Sequence, residues 1–350
     1  MSSVTPDEGE FIALLPRAGR QFLALGYQQT LTPDGLGSTG GGGDRLWEDQ
    51  GDGRLRALGG INISISGFPA PLVGLVFNPR PVLLPDGEYL APMYGHLKAA
   101  PTGCNASSSG ECDSVFFVRS TDQGQGERWR YASQIDRSPT WMPWVDSEGP
   151  CEPSLALLPD GRLLTLFRVD ARSMVFQAFS ADRGRSWVNI SRTPAWAVMP
   201  QLQLLSSGVL AMSSGRPGLR MWARPTAGGA NDDDRWTAFD LAAEHTARVA
   251  EPARWGYTGH TLNASCSGGP AASCGRGLTT CTMCTPAATP PQTTAYTGLA
   301  ELPATDEQHQ RGESRMLVVY DRLANGWSFP PGPWGDSDAI FSMVVTLSLV

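Results

Sequence analysis

Glu152-Pro153-Ser154-Leu155-Ala156-Leu157-Leu158-Pro159-Asp160-Gly161-Arg162 and the residues that follow it to Trp187 decide the fold. Leu155, Leu157 and Leu158 lead into Pro159-Asp160-Gly161, a reverse-turn signal between two apolar runs. Leu163 to Phe167 reads as the next strand, and Met174 to Phe179 as the one after. The stretch ends in Ser180-Ala181-Asp182-Arg183-Gly184-Arg185-Ser186-Trp187, the pattern S-x-D-x-G-x-S-W. In such a turn Asp and Ser side chains bond backbone groups, and Gly takes a positive φ. Trp187 is expected to plug the turn onto its own sheet.

The unit recurs on both sides of this stretch. Phe11 to Leu15 and Gln21 to Leu25 flank the turn Pro16-Arg17-Ala18-Gly19-Arg20. Gln28 to Gly60, with four glycines at Gly40 to Gly43, reads as a long loop, functional or merely inserted. Val76 to Leu90 repeats the pattern around Pro85-Asp86-Gly87. Val115 to Val118 is a strand, and Ser120 to Trp129 is a stretched copy of the S-x-D-x-G turn. Pro200 to Met212 turns at Ser207-Gly208, and its box is eroded to Asp232-Asp233-Asp234-Arg235-Trp236. Tyr296 to Tyr320 gives a further strand pair around a polar loop. The spacing is roughly 45–60 residues, the range of propeller blades. A β-sandwich would not need the same turn at repeated positions.

Composition agrees with short strands and many turns. The 350 residues include 40 Gly and 28 Pro, and only 17% are charged. A net charge of −7 and a pI near 5.2 argue against nucleic acid as a partner. Lys98 is the single lysine, so an abundance of Arg is weak evidence for anion binding. No run reaches the ~18 apolar residues of a membrane span. Ala339 to Val350 is apolar but short, and its β-branched residues suit a strand.

Compartment signals conflict. Met1 to Phe11 lacks the basic and apolar regions of a signal peptide. Yet Asn62, Asn105, Asn189 and Asn263 all sit in N-x-S, and the chain has seven cysteines, which favours the secretory pathway and leaves a cytoplasmic location open. Cys266, Cys274, Cys281 and Cys284 lie in a Gly-, Ser-, Thr- and Pro-rich segment at about 255–292. Their spacing matches no common zinc module, which favours a disulfide-pinned insertion over a metal knuckle. Cys104 and Cys112 would close a small loop, leaving Cys151 over. The four His show no ligand spacing, and no metal or cofactor is expected.

The repeated turn resembles the Asp-box of the sialidase (neuraminidase) superfamily of BNR-repeat β-propellers. The resemblance covers most of the chain. It implies an all-β fold, a six-bladed β-propeller, over one domain of residues 1–350 with the cysteine-rich insertion. Five units are visible, and the C-terminal strand could complete a sixth by pairing with N-terminal residues.

The resemblance also implies chemistry. Such enzymes grip a substrate carboxylate with an Arg triad, attack with a Tyr activated by a Glu, and use a loop Asp as acid and base. A neutral phenol attacks an anomeric carbon that bears a carboxylate with less repulsion than a carboxylate would. Ala295-Tyr296-Thr297-Gly298-Leu299, with Leu317-Val318-Val319-Tyr320-Asp321 downstream, is similar to the nucleophile segment, so Tyr296 takes that role. Glu152 and Arg168 match the Glu and second-Arg unit, and Arg216 in Ser214-Gly215-Arg216-Pro217-Gly218 takes the third Arg. The first Arg is missing: Glu10-Phe11-Ile12-Ala13-Leu14-Leu15 stands where the family has an Arg-Ile-Pro element, and Arg17 or Arg20 is a poor substitute. Asp34 and Asp44 can both supply the acid/base, and Asp34 has the nearer spacing. The expected function is exo-α-sialidase-type hydrolysis, with sialylated or other acidic glycans as partners. The alternative is a non-catalytic propeller that binds glycans or proteins.

Overall fold

A computed structural model describes residues 11–52, 54–98, 113–142, 148–169, 174–215, 218–226, 236–255, 296–323 and 338–348. The architecture is all-β, with five antiparallel-based sheets among the described residues. The first runs Phe11–Pro16, Gln21–Gly26, Arg45–Asp49, Leu55–Gly60. The second holds Leu72–Phe77, Tyr89–Leu97, Asp113–Ser120 and Arg128–Ile135, with Val82–Leu83 also on Tyr89–Leu97. It is extended by Ser64–Ser66, Ser38–Gly41 and Gln29–Leu31. Here Ser64–Ser66 joins Arg128–Ile135 in parallel.

The third sheet runs Pro150–Leu157, Leu163–Val169, Met174–Ser180, Val188–Trp196, as the apolar runs predict. The fourth runs Val198–Leu204, Val209–Gly215, Arg220–Pro225, Thr237–Asp240, and the fifth Thr297–Leu302, Glu313–Leu323, Asp338–Ser348. A helix at Leu241–Arg248 follows the fourth sheet, its first turn capped by Asp240 accepting from Ala243 N.

Two compact units divide the chain: residues 1–170 with 177–191, and residues 171–176 with 192–350. The first unit has a core built by Leu15, Leu23, Phe77, Met93, Phe116 and Trp129. Ala211, Met221, Leu299, Met316 and Val318 lie in the core of the second.

Three expectations change. Gln28 to Gly60 is not a loop but carries four short strands. Its glycines permit close backbone approach: a Cβ on Gly41 would meet Gln28 O at 2.5 Å. The buried Asp44 carboxylate ties this region together by accepting from Gly26 N at 2.6 Å and Gly41 N at 2.5 Å. Next, the C-terminal strand pairs along its whole length with Glu313–Leu323, as the third strand of the fifth sheet. A sixth blade closed with N-terminal residues is therefore not found among the described residues, where five sheets are seen.

Third, Trp187 does not plug its own sheet. Its ring stacks on Phe117 of the preceding sheet at 4.1 Å, and Nε1 donates to Ser133 Oγ at 3.0 Å. The box before it behaves alike: a Cβ on Gly126 would meet Leu15 Cδ1 at 2.5 Å, and Arg17 bonds Glu127 at 2.9 Å. Each Asp-box turn in the first unit thus fastens its sheet to the one before. The box interior follows the sequence reading. Asp182 accepts from Arg185 N, Ser186 N, Ser180 Oγ and Ser186 Oγ, and Gly184 has φ 82°. Asp122 accepts from Gly126 N, Glu127 N and Arg128 N. Cys104, Cys112 and the cysteines at 266–284 lie outside the described residues, while Cys151 is free and buried.

Candidate functional site

The first two strands of the third sheet place the Glu and Arg of the sequence reading side by side. Cys151 pairs with Arg168 in register, and the ladder slips by a bulge between Cys151 and Ser154. Glu152 sits in that bulge with φ 50°, a left-handed conformation costing a residue with a Cβ on the order of 1–3 kcal/mol. The twist turns its carboxylate onto Arg168. Nε of Arg168 donates to Glu152 Oε2 at 2.7 Å, and its Nη1 donates to Glu148 Oε2 at 2.7 Å. Both partners of the inner pair are buried, with side chains 12% and 6% exposed. Burial opposes the Arg168 charge, but the flanking anionic groups outweigh it and hold the guanidinium more firmly protonated than usual.

Tyr94, on the second strand of the second sheet, adjoins this pair. Its hydroxyl meets Tyr27 Oη at 2.7 Å. Burial first, then Tyr27 and the negative charge of Glu152, push its phenol far above the ordinary range. Burial also pushes the Cys151 thiol well up, so it stays neutral. The group is a packed polar cluster within the first unit: Tyr27, Tyr94, Glu148, Glu152 and Arg168.

The other predicted residues fall elsewhere. Asp34 is exposed in a turn, accepting from Thr32 Oγ1 at 2.6 Å and Leu36 N at 3.0 Å. Those hydrogen bonds hold its carboxyl below the usual range. Burial raises Asp44 against its bonds from Gly26 and Gly41. Tyr296, in the second unit, stands directly before Thr297–Leu302, with its backbone N–H on Asp321 Oδ1 at 3.2 Å. Arg216 lies outside the described residues. In the fourth sheet Val198 pairs with Gly215, so Gly215 holds the register place that Arg168 holds opposite Cys151.

Two features escaped the sequence reading. In the second unit, His245 Nδ1 meets Tyr320 Oη at 2.7 Å and Nε2 meets Trp255 O at 2.9 Å, lining a concavity of about 480 Å³ with Arg248 and Phe341. The motif-poor spacing of the four His gave no signal for it. The second is positional. Counting back from the turns at Pro85, Pro159 and Ser206, residues Asn78, Glu152 and Met199 fall at one repeat position, each followed by proline. Glu152 and Met199 share the left-handed backbone, at φ 50° and 46°.

Residues 66–219 match the family model of the BNR repeat-like domain. That match covers less than half of the chain. Among curated proteins there is no match. Among solved structures, a protein of unknown function from Dyadobacter fermentans DSM 18053 is similar at a TM-score of 0.55 and 14% identity over 96% of this chain and 76% of that one. At that score the two share a fold. The Hadza microbial sialidase Hz136 is similar at a TM-score of 0.39 and 16% identity, over 63% of this chain and 42% of that one. The GH43 β-1,3-galactosidase BT3683 is similar at a TM-score of 0.46 and 10% identity, over 96% of this chain and 90% of that one. The chain spans three quarters of the Dyadobacter protein and less than half of the sialidase.

Proposed function

We infer that this BNR-repeat propeller is a glycoside hydrolase of exo-α-sialidase type, acting on sialylated or other acidic glycans. The observation that carries the reading is the buried Glu152–Arg168 pair, held by a left-handed residue at the end of two paired strands. Backbone strain kept to orient an ion pair marks sites where geometry matters for a ligand. In this reading Tyr296 is the nucleophile and Glu152 the general base. Asp34 protonates the leaving oxygen and later activates water, while Arg168 and Arg216 hold the substrate carboxylate.

A second reading has its own support. Both oxygens of Glu152 already face Arg168, and Asp34 is engaged by Thr32 and Leu36. A site so tied suits a propeller that binds an acidic glycan without cleaving it. The test is incubation of the wild-type chain with fluorogenic α-sialosides and related ulosonic-acid glycosides, beside direct binding of the intact glycans. Fluorophore release supports the hydrolase. Binding without release leaves the binding module standing, and neither result on any acidic glycan defeats both.

A further inference from the structure

We propose that Arg80 and Asn78 form an anion-holding site for a sugar acid, with Arg80 taking the carboxylate and Asn78 a neighbouring hydroxyl. They stand in Phe77-Asn78-Pro79-Arg80-Pro81, directly after the first strand of the second sheet. Neither lies at a position that the family resemblance assigns to its Arg triad.

Arg80 is the odd member among the covered arginines. Arg168 has Glu148 and Glu152, Arg119 has Asp86 and Glu88, Arg17 has Glu127, and Arg224 lies over the Trp236 ring. Among the described residues Arg80 makes no hydrogen bond or ion pair, and its buried Nε lacks an acceptor. Burial alone, with no counter-charge, brings its guanidinium down to about 10. The side chain is not fully covered and keeps some solvent exposure.

Asn78 supplies an independent observation. It is 0% exposed, and both Oδ1 and Nδ2 are without a partner. Buried amides are nearly always satisfied, and one left with a free donor and a free acceptor calls for an explanation. Its backbone is fixed by N–H donation to Pro92 O at 2.9 Å. Asn78 also holds the repeat position that Glu152 holds in the next sheet. Its neighbour Phe77 donates to Tyr27 O at 2.9 Å, and Tyr27 in turn meets Tyr94. The backbone at Phe77 thus ties the start of this segment to Tyr27.

The backbone has the same character. Arg80 has φ 67° between two prolines, a conformation a side chain rarely adopts without reason. A guanidinium matches one carboxylate bidentately, and an Asn amide both donates to and accepts from a hydroxyl. A single uncompensated positive charge in a chain of net charge −7 suits a monoanion better than a polyanion.

This proposal rests on the acidic-sugar ligand of the functional reading but not on cleavage. Binding of N-acetylneuraminic acid and of glucuronic acid is measured by titration calorimetry, each beside its methyl ester. The proteins are the wild-type full chain, Arg80→Ala and Arg80→Lys, each checked by its thermal midpoint. The wild type should bind at least one acid about tenfold or more tighter than its ester. Arg80→Ala should abolish that preference, and Arg80→Lys, which keeps the charge but not the fork, should retain part of it. No acid preference in the wild type, or an unchanged preference in folded Arg80→Ala, overturns the proposal. If Arg80→Lys alone folds, the same comparison applies to it. Arg80-dependent acid binding by a chain that cleaves no sialoside would sink only the catalytic reading. Sialoside cleavage with no Arg80 effect would sink only this one.

Discussion

Glu152 and Arg168 form a buried ion pair, Nε to Oε2 at 2.7 Å, across the first two strands of the third sheet. Removing one partner leaves the other charged and covered. Arg168→Ala should therefore destabilise the chain by about 3–5 kcal/mol. Replacing both by apolar residues of like volume should recover much of that loss. Urea denaturation of the two singles and the double measures the coupling. Additive losses would mean that the pair is not energetically joined.

Asp182 gathers four hydrogen bonds in its turn. Burial, the largest single influence, pushes its carboxyl up, but the bonds from Ser186, Ser180 and Arg185 together prevail and hold it at about 2, against an ordinary 3.8. The folded value lies below the unfolded one, so the contribution to stability is full above the unfolded value and is lost as pH falls toward 2. Asp182→Asn should be less stable than the wild type at neutral pH, and the gap should close on acidification. Thermal midpoints from pH 7 to pH 2 check it, and a constant gap would contradict it.

The Asp-boxes were legible because their chemistry is local. Ser, Asp and Gly within one turn satisfy one another, and a short pattern reveals them. The seat of Trp187 was not, because its partners Phe117 and Ser133 lie far away in sequence. Gln28 to Gly60 was misread since a glycine run looks like a loop until Asp44 is seen bonding Gly26 and Gly41. In the candidate site, Glu152 and Arg168 were found as a pair, because two strands joined by a tight turn must bring their ends together. Arg80 and Asn78 left no sequence signal, since lacking a partner is a property of packing.

The two box tryptophans should differ in weight. Trp129 is 2% exposed, and its Nε1 donates to Gly126 O at 2.8 Å. Trp129→Ala should cost about 3–5 kcal/mol. Trp187 keeps part of its ring in water, so Trp187→Ala should cost less than that range. Equal losses in chemical denaturation would mean that the wedge onto Phe117 is as deep as the core plug.

His245 is buried against Tyr320. The Trp255 carbonyl can only accept, so Nε2 carries the proton and Nδ1 accepts from the Tyr320 hydroxyl. Burial lowers its pKa from the ordinary 6.5, and nearby Arg322 lowers it further against the Trp255 bond. Stability from the neutral ring is thus present above 6.5 and lost as pH falls below it. His245→Gln should flatten the stability profile between pH 7 and pH 5. An unchanged slope would mean that another group titrates there.

In the proposed reaction Tyr296 attacks the anomeric carbon of an acidic glycoside. A phenol with an ordinary pKa near 10 is a poor nucleophile at neutral pH unless a base takes its proton. Removing the hydroxyl should therefore remove the reaction while leaving the sheet intact. The measurement is kcat for a fluorogenic α-sialoside with the wild type and with Tyr296→Phe, both confirmed folded by circular dichroism. Turnover is expected in the wild type, with nearly all of it lost in Tyr296→Phe. Full activity in the variant, or none in the wild type, would contradict it.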